Sequence, residues 1–352
     1  MRVALVGPPQ SGKSTLLAAI AAAGGSRVDV SRPDQPHLAA TKVPDPRVDW
    51  LADTYHTTKC IHAELEFLDL PGIDLSDEAG RGRAKHHWPG MRQSDMIVFV
   101  VRAFTDDTTA VHRGRVDPAA DVEELRQEML FADLEQVTAR IDKLARAVKK
   151  PTPNRDEQQR ELDLMQRLAE ALENEQPVTD VIANETEAKI VRTFALLSRM
   201  PTLVVVNCDE DQLDAASDSP ETVRLSARIE REIAELDAED RQAFLADLGL
   251  TSSAKDRLIR ACYRRLDLIS FLTHNDNECR AWTIPANTDA VTAAGRVHSD
   301  LARGFIRAET VAFDDLQAAG DEKLARAAGK IRLEGKSYVV QDGDVINFRF
   351  NV

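Results

Sequence analysis

Gly7-Pro8-Pro9-Gln10-Ser11-Gly12-Lys13-Ser14-Thr15 lies between a short apolar run, Arg2-Val3-Ala4-Leu5-Val6, and a helix-forming run, Leu16-Leu17-Ala18-Ala19-Ile20. Strand, G-x-x-x-x-G-K-S loop and helix is the order that a phosphate cradle needs. Glycine lets the backbone curl so that successive N–H groups point at phosphate oxygens. The helix N-terminus adds partial positive charge. Lys13 can reach the β- and γ-phosphates and Ser14 can ligate Mg²⁺. Every residue from Gly7 to Thr15 is therefore a candidate phosphate contact. Lys13 is also a catalytic candidate, through the charge that it brings to the γ-phosphate.

A triphosphate site needs a held metal, a read base and an attacking water as well. Asp69 ends an apolar, strand-like run, where a carboxylate can hold Mg²⁺ opposite Ser14. Gly72, three residues on, leaves room for a backbone N–H to meet the γ-phosphate. Asn207-Cys208-Asp209-Glu210 follows another apolar run. Guanine-specific switch proteins carry N-K-x-D there, and its Asp takes two hydrogen bonds from guanine. Here Cys208 stands for Lys and Glu210 for Asp, and the added methylene spoils that bidentate grip. Hydrogen-bond misfits discriminate strongly, so the change predicts lost guanine preference and favours adenine. Ser226-Ala227, after its own strand, suits a backbone loop facing the base. Ile73 occupies the position where switch GTPases place a water-orienting Gln, and it cannot do that work. His56, His62, His86, His87 and His112 are nearby in sequence, and sequence does not choose among them.

These residues need strands to carry them. Met96–Val101 is a continuous apolar run, as in a buried parallel strand. Ile61–Leu68, Pro201–Asn207 and Thr222–Leu225 also read as strands. Residues 28 to 60 read as a loop region with a short helix near Val48–Asp53, and Ser76–Gln93 as a polar, mobile stretch. Leu134, Val137, Ile141, Leu144 and Val148 recur at helical spacing, and Leu164, Leu168 and Leu172 form a second stripe. Pro151 and Pro153 break the chain between them, which predicts an antiparallel helical pair sealed along an internal seam. Helices are expected near 185–197, 229–236, 241–248, 255–266 and 290–301. Asp342-Gly343-Asp344 between Tyr338–Val340 and Val345–Phe350 predicts a hairpin.

The bulk numbers set bounds. A length of 352 residues suggests two or three domains at about 100–200 residues each. Apolar residues make up 43% and charged residues 30%. No run approaches the ~20 residues of a membrane span, and no signal peptide is read at the N-terminus, so a cytoplasmic protein without membrane association is expected. The four cysteines show no C-x-x-C spacing, which argues against zinc and a disulfide framework. Net charge is −14, so charge alone discourages nucleic-acid binding, and no DNA partner is expected. Residues 280 to 352 hold 10 basic and 10 acidic residues, and this neutral segment is where a local RNA contact is expected.

The phosphate loop, Ile73, the N-x-x-E at Asn207–Glu210 and the C-terminal segment together resemble the YchF/Obg-like ATPases, a branch of the translation-factor P-loop class. The resemblance spans almost the whole chain. It is most specific at 43–47 (VPDPR), 100–104 (VVRAF), 232–236, 304–309 (GFIRAE) and from Arg332 to the end. It implies an α/β fold: a P-loop G-domain with a mostly parallel sheet (1–118 and 200–278), an inserted antiparallel helical hairpin (119–199) and a C-terminal α+β TGS domain of β-grasp type (279–352). It also implies ATP at least as good a ligand as GTP, slow hydrolysis and association with ribosomes. Cys208 falls where the family contacts adenine through backbone.

There are departures. The family usually carries Asn at the position of Gln10, linked to a monovalent cation, so potassium dependence is an open expectation. Its switch I threonine has no clear counterpart, with Pro33 at the counted position and Ser31 and Thr41 nearby. Its proposed catalytic histidine aligns with Val111, which makes His112, one place on, the catalytic candidate here. The leading reading is a Mg²⁺-dependent ATPase with a ribosome- or RNA-linked regulatory role. The alternatives are a GTPase that tolerates Glu210, and a nucleotide-binding scaffold or sensor with little turnover.

Overall fold

In the computed structural model, which describes all residues except 25, 152, 214–218, 248, 249, 251 and 352, the chain divides into two compact units. The first comprises Met1–Ala39 and Glu66–Ala254, the second Ala40–Leu65 and Lys255–Val352. Contact thus divides the chain elsewhere than at residues 278 and 279, and gives residues 40–65 to the second unit.

The first unit is built on a six-stranded sheet, two of whose strands run past its borders at Ala39 and Glu66. Its strands are β1 (Arg2–Val6), β2 (His37–Lys42), β4 (Glu64–Asp69), β5 (Met96–Arg102), β6 (Thr202–Asn207) and β7 (Thr222–Leu225), in the order β2-β4-β1-β5-β6-β7. Pairings of β1 with β4 and β5, of β5 with β6 and of β6 with β7 are all parallel. All seven residues of β5 are buried, as the unbroken apolar run Met96–Val101 dictates, and Arg102 at its end is buried with them. In a parallel sheet the C-terminal strand ends face one way. Val6, Asp69, Arg102 and Asn207 therefore deliver their following loops to one edge, as is usual for ligand sites in open α/β sheets.

Helix α1 (Lys13–Ala23) follows β1. β2 alternates buried and exposed residues, with only Ala39 and Thr41 inward, too weak an apolar signal to stand out from a Pro- and Asp-rich stretch. Residues 76–93, expected as a mobile loop, instead form α3 (Glu78–Ala84), a 3-10 turn and α4 (Trp88–Arg92). Asp77 caps α3 by accepting from the Gly80 amide, and Trp88 and Met91 are buried in the core below the sheet. Those two large apolar side chains reward a helical path that a polar composition conceals.

Helices α5 (Pro118–Ala147) and α6 (Arg155–Glu173) form the expected antiparallel hairpin. Val137, Leu144, Leu164, Leu168 and Leu172 are buried in its own apolar cluster, with Leu134, Ile141 and Val148 packed against it. This core is separate from that of the sheet, where Val6, Ile97, Phe99 and Val101 meet Val122, Leu125 and Met129 from the start of α5.

The second unit is of α+β type, and its bounds are wider than the expected 279–352. Its sheet runs β11-β10-β12-β8-β9-β3, comprising β3 (Lys59–Ile61), β8 (Leu268–His274), β9 (Glu278–Pro285), β10 (Phe305–Ala312), β11 (Arg332–Glu334) and β12 (Asp344–Phe350). It also contains α2 (Pro46–Tyr55), capped by Asp45. The expected hairpin between 338–340 and β12 does not form. β12 pairs antiparallel with β10 and parallel with β8, and Val339 makes only an isolated bridge to Asp289. The turn's carboxylates are engaged elsewhere: Asp342 accepts from the Ser270 amide and Arg47, and Asp344 from Tyr338 and the Gln341 amide. Ile346 and Phe348 instead join Phe271, Phe305 and Ala308 in the core.

Candidate functional site

The phosphate loop is held by close backbone approaches that admit no larger residue. A Cβ on Gly7 would stand 2.1 Å from the Val100 carbonyl, and one on Gly72 would stand 2.7 Å from Pro9 Cα. Gly12, at φ +93°, starts α1 in the left-handed region that glycine tolerates. The helix has neither a side-chain cap nor an acidic residue in its first turn, so its first amides remain available to an anion.

Lys13 is buried. Its ammonium donates to the carbonyls of Gly7 at 3.0 Å and Pro8 at 2.9 Å. Burial lowers its pKa to about 8, while the nearby Asp69 carboxylate pulls the other way. Ser14 donates its hydroxyl to Asp69 Oδ2 at 2.6 Å. Asp69 Oδ1 is buried with no hydrogen-bond partner, and burial raises the Asp69 pKa. A carboxylate oxygen and a hydroxyl side by side are hard oxygen donors of the kind Mg²⁺ takes, so the pair fits that ion.

Asn207 ends β6 and spans two loops. Its Nδ2 donates to the Ser11 carbonyl at 3.0 Å, and its Oδ1 accepts from the Ala227 amide at 2.9 Å. Thus one amide side chain fixes the phosphate loop against the Ser226-Ala227 turn. Beside this brace opens a cavity of about 1030 Å³. Gln10, Gly12, Thr15, Asn207, Cys208, Glu210, Ser226 and Ala227 from the sequence-derived set all line it. Gly7, Pro8, Pro9, Ser11, Lys13, Ser14, Asp69 and Gly72 lie outside its lining.

Cys208 is buried, and its thiol faces the Leu225 carbonyl at 3.5 Å. The side chain therefore turns into the sheet rather than over a base. Glu210 is exposed at the start of a short 3-10 turn. Ile73 is 1% exposed and packed in the sheet's core, with its amide bonded to the Gly7 carbonyl at 3.0 Å.

His112 is not among the cavity's lining residues. It sits in a 3-10 turn, 3.4 Å from Glu124 Oε2 on α5, and Arg113 shares the same carboxylate.

Part of the cavity wall escapes motif reading. Phe104, Thr105, Asp106 and Thr109 line it. Arg102 gathers this loop: its guanidinium donates to the carbonyls of Phe104, Asp106, Thr109 and Ala110 and lies 4.4 Å over the Phe104 ring. Asp209 accepts from the Thr105 amide and hydroxyl at 2.9 and 2.8 Å. The signal was the VVRAF stretch itself, which carries a buried arginine at the end of an apolar strand.

Residues 2–139 match the family model MMR_HSR1, described as "50S ribosome-binding GTPase". Residues 268–351 match YchF-GTPase_C, described as "Protein of unknown function (DUF933)". The chain is 40% identical to the "Ribosome-binding ATPase YchF" of Bacillus subtilis, over 99% of this chain and 98% of that one. It is 34% identical to the protein of the same name in Escherichia coli O157:H7, with the same shares. It is also 30% identical to "Obg-like ATPase 1" of Caenorhabditis elegans, over 100% of this chain and 92% of the other. The solved structure of the Schizosaccharomyces pombe YchF GTPase superposes with a TM-score of 0.81 at 27% identity, covering 99% of this chain and 97% of that one. At such identity over the full length, the chain belongs to the YchF family.

Proposed function

We propose that this protein binds ATP with Mg²⁺ and hydrolyses it slowly, in the cytoplasm, in association with ribosomes. The observation that carries the nucleotide reading is the Asn207 brace. It places an uncapped, glycine-started helix N-terminus and a second loop on the two sides of one cavity. The loop amides and Lys13 bind the triphosphate and stabilise charge that develops on the γ-phosphate. Ser14 and Asp69 hold Mg²⁺, which supplies further neutralisation of phosphate charge when bound. Asn207 to Glu210 and Ser226-Ala227 frame the base, and the buried Cys208 leaves base contact to the backbone.

Preference for ATP rests on Glu210, whose extra methylene misplaces the carboxylate for guanine. The name "ATPase" on the relatives from Bacillus subtilis and Caenorhabditis elegans supports it. The reading of a GTPase stays as the alternative, since the Schizosaccharomyces pombe relative is named a GTPase. Slow turnover rests on Ile73, which is turned into the core where a water-orienting polar group would be needed. His112 enters as a catalytic group only if it moves from Glu124 toward the phosphates. Ribosome association rests on the relatives' names, and ribosomal RNA is the expected contact.

Titration of fluorescent ATP and GTP analogues with Mg²⁺ tests the base reading, and clear GTP preference would sink it. Single-turnover phosphate release separates a slow enzyme from a silent sensor. Co-sedimentation with ribosomal subunits, with and without nucleotide, tests the ribosome link, which fails if the protein pellets in no state.

A further inference from the structure

The second unit brings three different donor atoms to one point. Asp49 lies on α2, Cys60 on β3 and His62 just beyond it. Residues two apart in extended chain share a face, so Cys60 and His62 project together beside the helix. Cys60 Sγ lies 3.6 Å from Asp49 Oδ1 and 3.9 Å from His62 Nε2, and His62 Nε2 lies 2.9 Å from Asp49 Oδ1. A tetrahedral zinc ion with bonds of about 2.0–2.3 Å sets its ligand atoms roughly 3.3–3.8 Å apart. The triangle, with sides of 2.9, 3.6 and 3.9 Å, is within about half an ångström of a metal-binding face.

The other ring nitrogen supports coordination. His62 Nδ1 lies 3.1 Å from the Val43 carbonyl, which can only accept, so Nδ1 carries a proton there and Nε2 faces the other two donors. A metal-bound histidine almost always donates its remaining N–H in this way, which fixes the ring. A Cys–His–Asp nucleophilic relay needs the carboxylate on one ring nitrogen and the thiol on the other. Here Asp49 and Cys60 converge on the same nitrogen, the arrangement of ligands around an ion.

We propose that Asp49, Cys60 and His62 bind a divalent transition ion of the zinc class, through one carboxylate oxygen, one thiolate and one imidazole nitrogen. Water completes the fourth position. The Cys60 thiol proton passes to solvent as the thiolate forms, together with any proton on Nε2. The ion clips α2 to β3. The missing C-x-x-C spacing excludes a site framed by cysteine pairs but has no bearing on one that uses a single thiolate. Nothing in this site depends on the nucleotide reading.

The test uses the full chain, stripped of metal by chelator and free of nucleotide, titrated with Co²⁺. One equivalent is expected to bring a thiolate-to-cobalt charge-transfer band in the near ultraviolet and tetrahedral d–d bands in the visible, and Zn²⁺ to abolish both. Cys60→Ser is expected to lose the charge-transfer band. His62→Gln and Asp49→Asn should each weaken Co²⁺ binding by about tenfold or more, since even outer-shell losses cost about 10–100-fold. Zn²⁺ should raise the unfolding temperature of the parent but not that of Cys60→Ser. Absence of the charge-transfer band in the parent overturns the proposal, as does its survival in Cys60→Ser. Should Cys60→Ser not fold, unchanged Co²⁺ affinity in His62→Gln overturns it equally.

Discussion

A methyl group on Gly12 would stand 2.1 Å from Nδ2 of Asn207, two residues separated by most of the first unit's sequence. The phosphate loop and the end of β6 are in direct contact, with no room between them. Gly12→Ala meets that clash and an unfavourable φ of +93°, so it should lose triphosphate binding and stability together. Asn207→Ala removes both braces and leaves the Ala227 amide without that acceptor, a loss of about 1–3 kcal/mol. Urea unfolding with analogue titration checks both; wild-type affinity in Asn207→Ala would show that the brace is not needed.

Lys13 should make triphosphate binding sensitive to pH. Its pKa in the folded chain is lowered to about 8 from 10.5. The folded state therefore holds fewer protons than the unfolded state between these values, and stability of the nucleotide-free protein rises with pH across that window. Triphosphate binding wants the charged ammonium, so affinity should instead fall as pH rises through about 8. Lys13→Met should bind weakly at every pH. A titration series in buffers on both sides of that value decides the matter, and a flat parent profile would count against the role.

Ser14 and Asp69 share the proposed magnesium work. In Ser14→Ala and in Asp69→Asn, Mg²⁺ should no longer strengthen analogue binding, although weak metal-independent binding persists through the loop amides. Calorimetric titration with and without Mg²⁺ reads this. A full Mg²⁺ effect in both variants would remove the pair from the metal site.

Base choice should move with Glu210. Glu210→Asp shortens the side chain to the length that guanine readers use, and should shift relative affinity toward GTP by about tenfold or more. Cys208 is kept, because its slot against Leu225 is buried and a lysine would have to leave it. Competition between the two analogues provides the ratio, and an unchanged ratio would show that Glu210 does not reach the base.

The helical arm is pinned by a buried ion pair. Asp133, fully buried, accepts from Arg92 at 2.9 Å and from the amides of Leu197 and Ser198 at 3.0 and 2.8 Å. Asp133→Ala strands the Arg92 charge and should cost about 3–5 kcal/mol. Chemical denaturation measures it, and a loss below about 1 kcal/mol, the scale of an exposed pair, would contradict this account.

What the sequence determined by itself was local. A curled glycine loop between strand and helix, an unbroken apolar β5, and a leucine seam on either side of a proline break each follow from neighbours within about ten positions. Backbone sterics and periodic burial act at that range. The tertiary structure decided what depends on distant partners. It gave Asn207 two loops to hold, set the Cys208 thiol against the Leu225 carbonyl, and made Arg102 the organiser of the Phe104–Ala110 wall. It also carried β12 past its expected hairpin partner to β10 and β8, and brought Cys60 and His62 to Asp49. Such choices are settled by which buried polar groups find partners and which apolar faces find cover. Both are properties of the packed chain rather than of any segment of it.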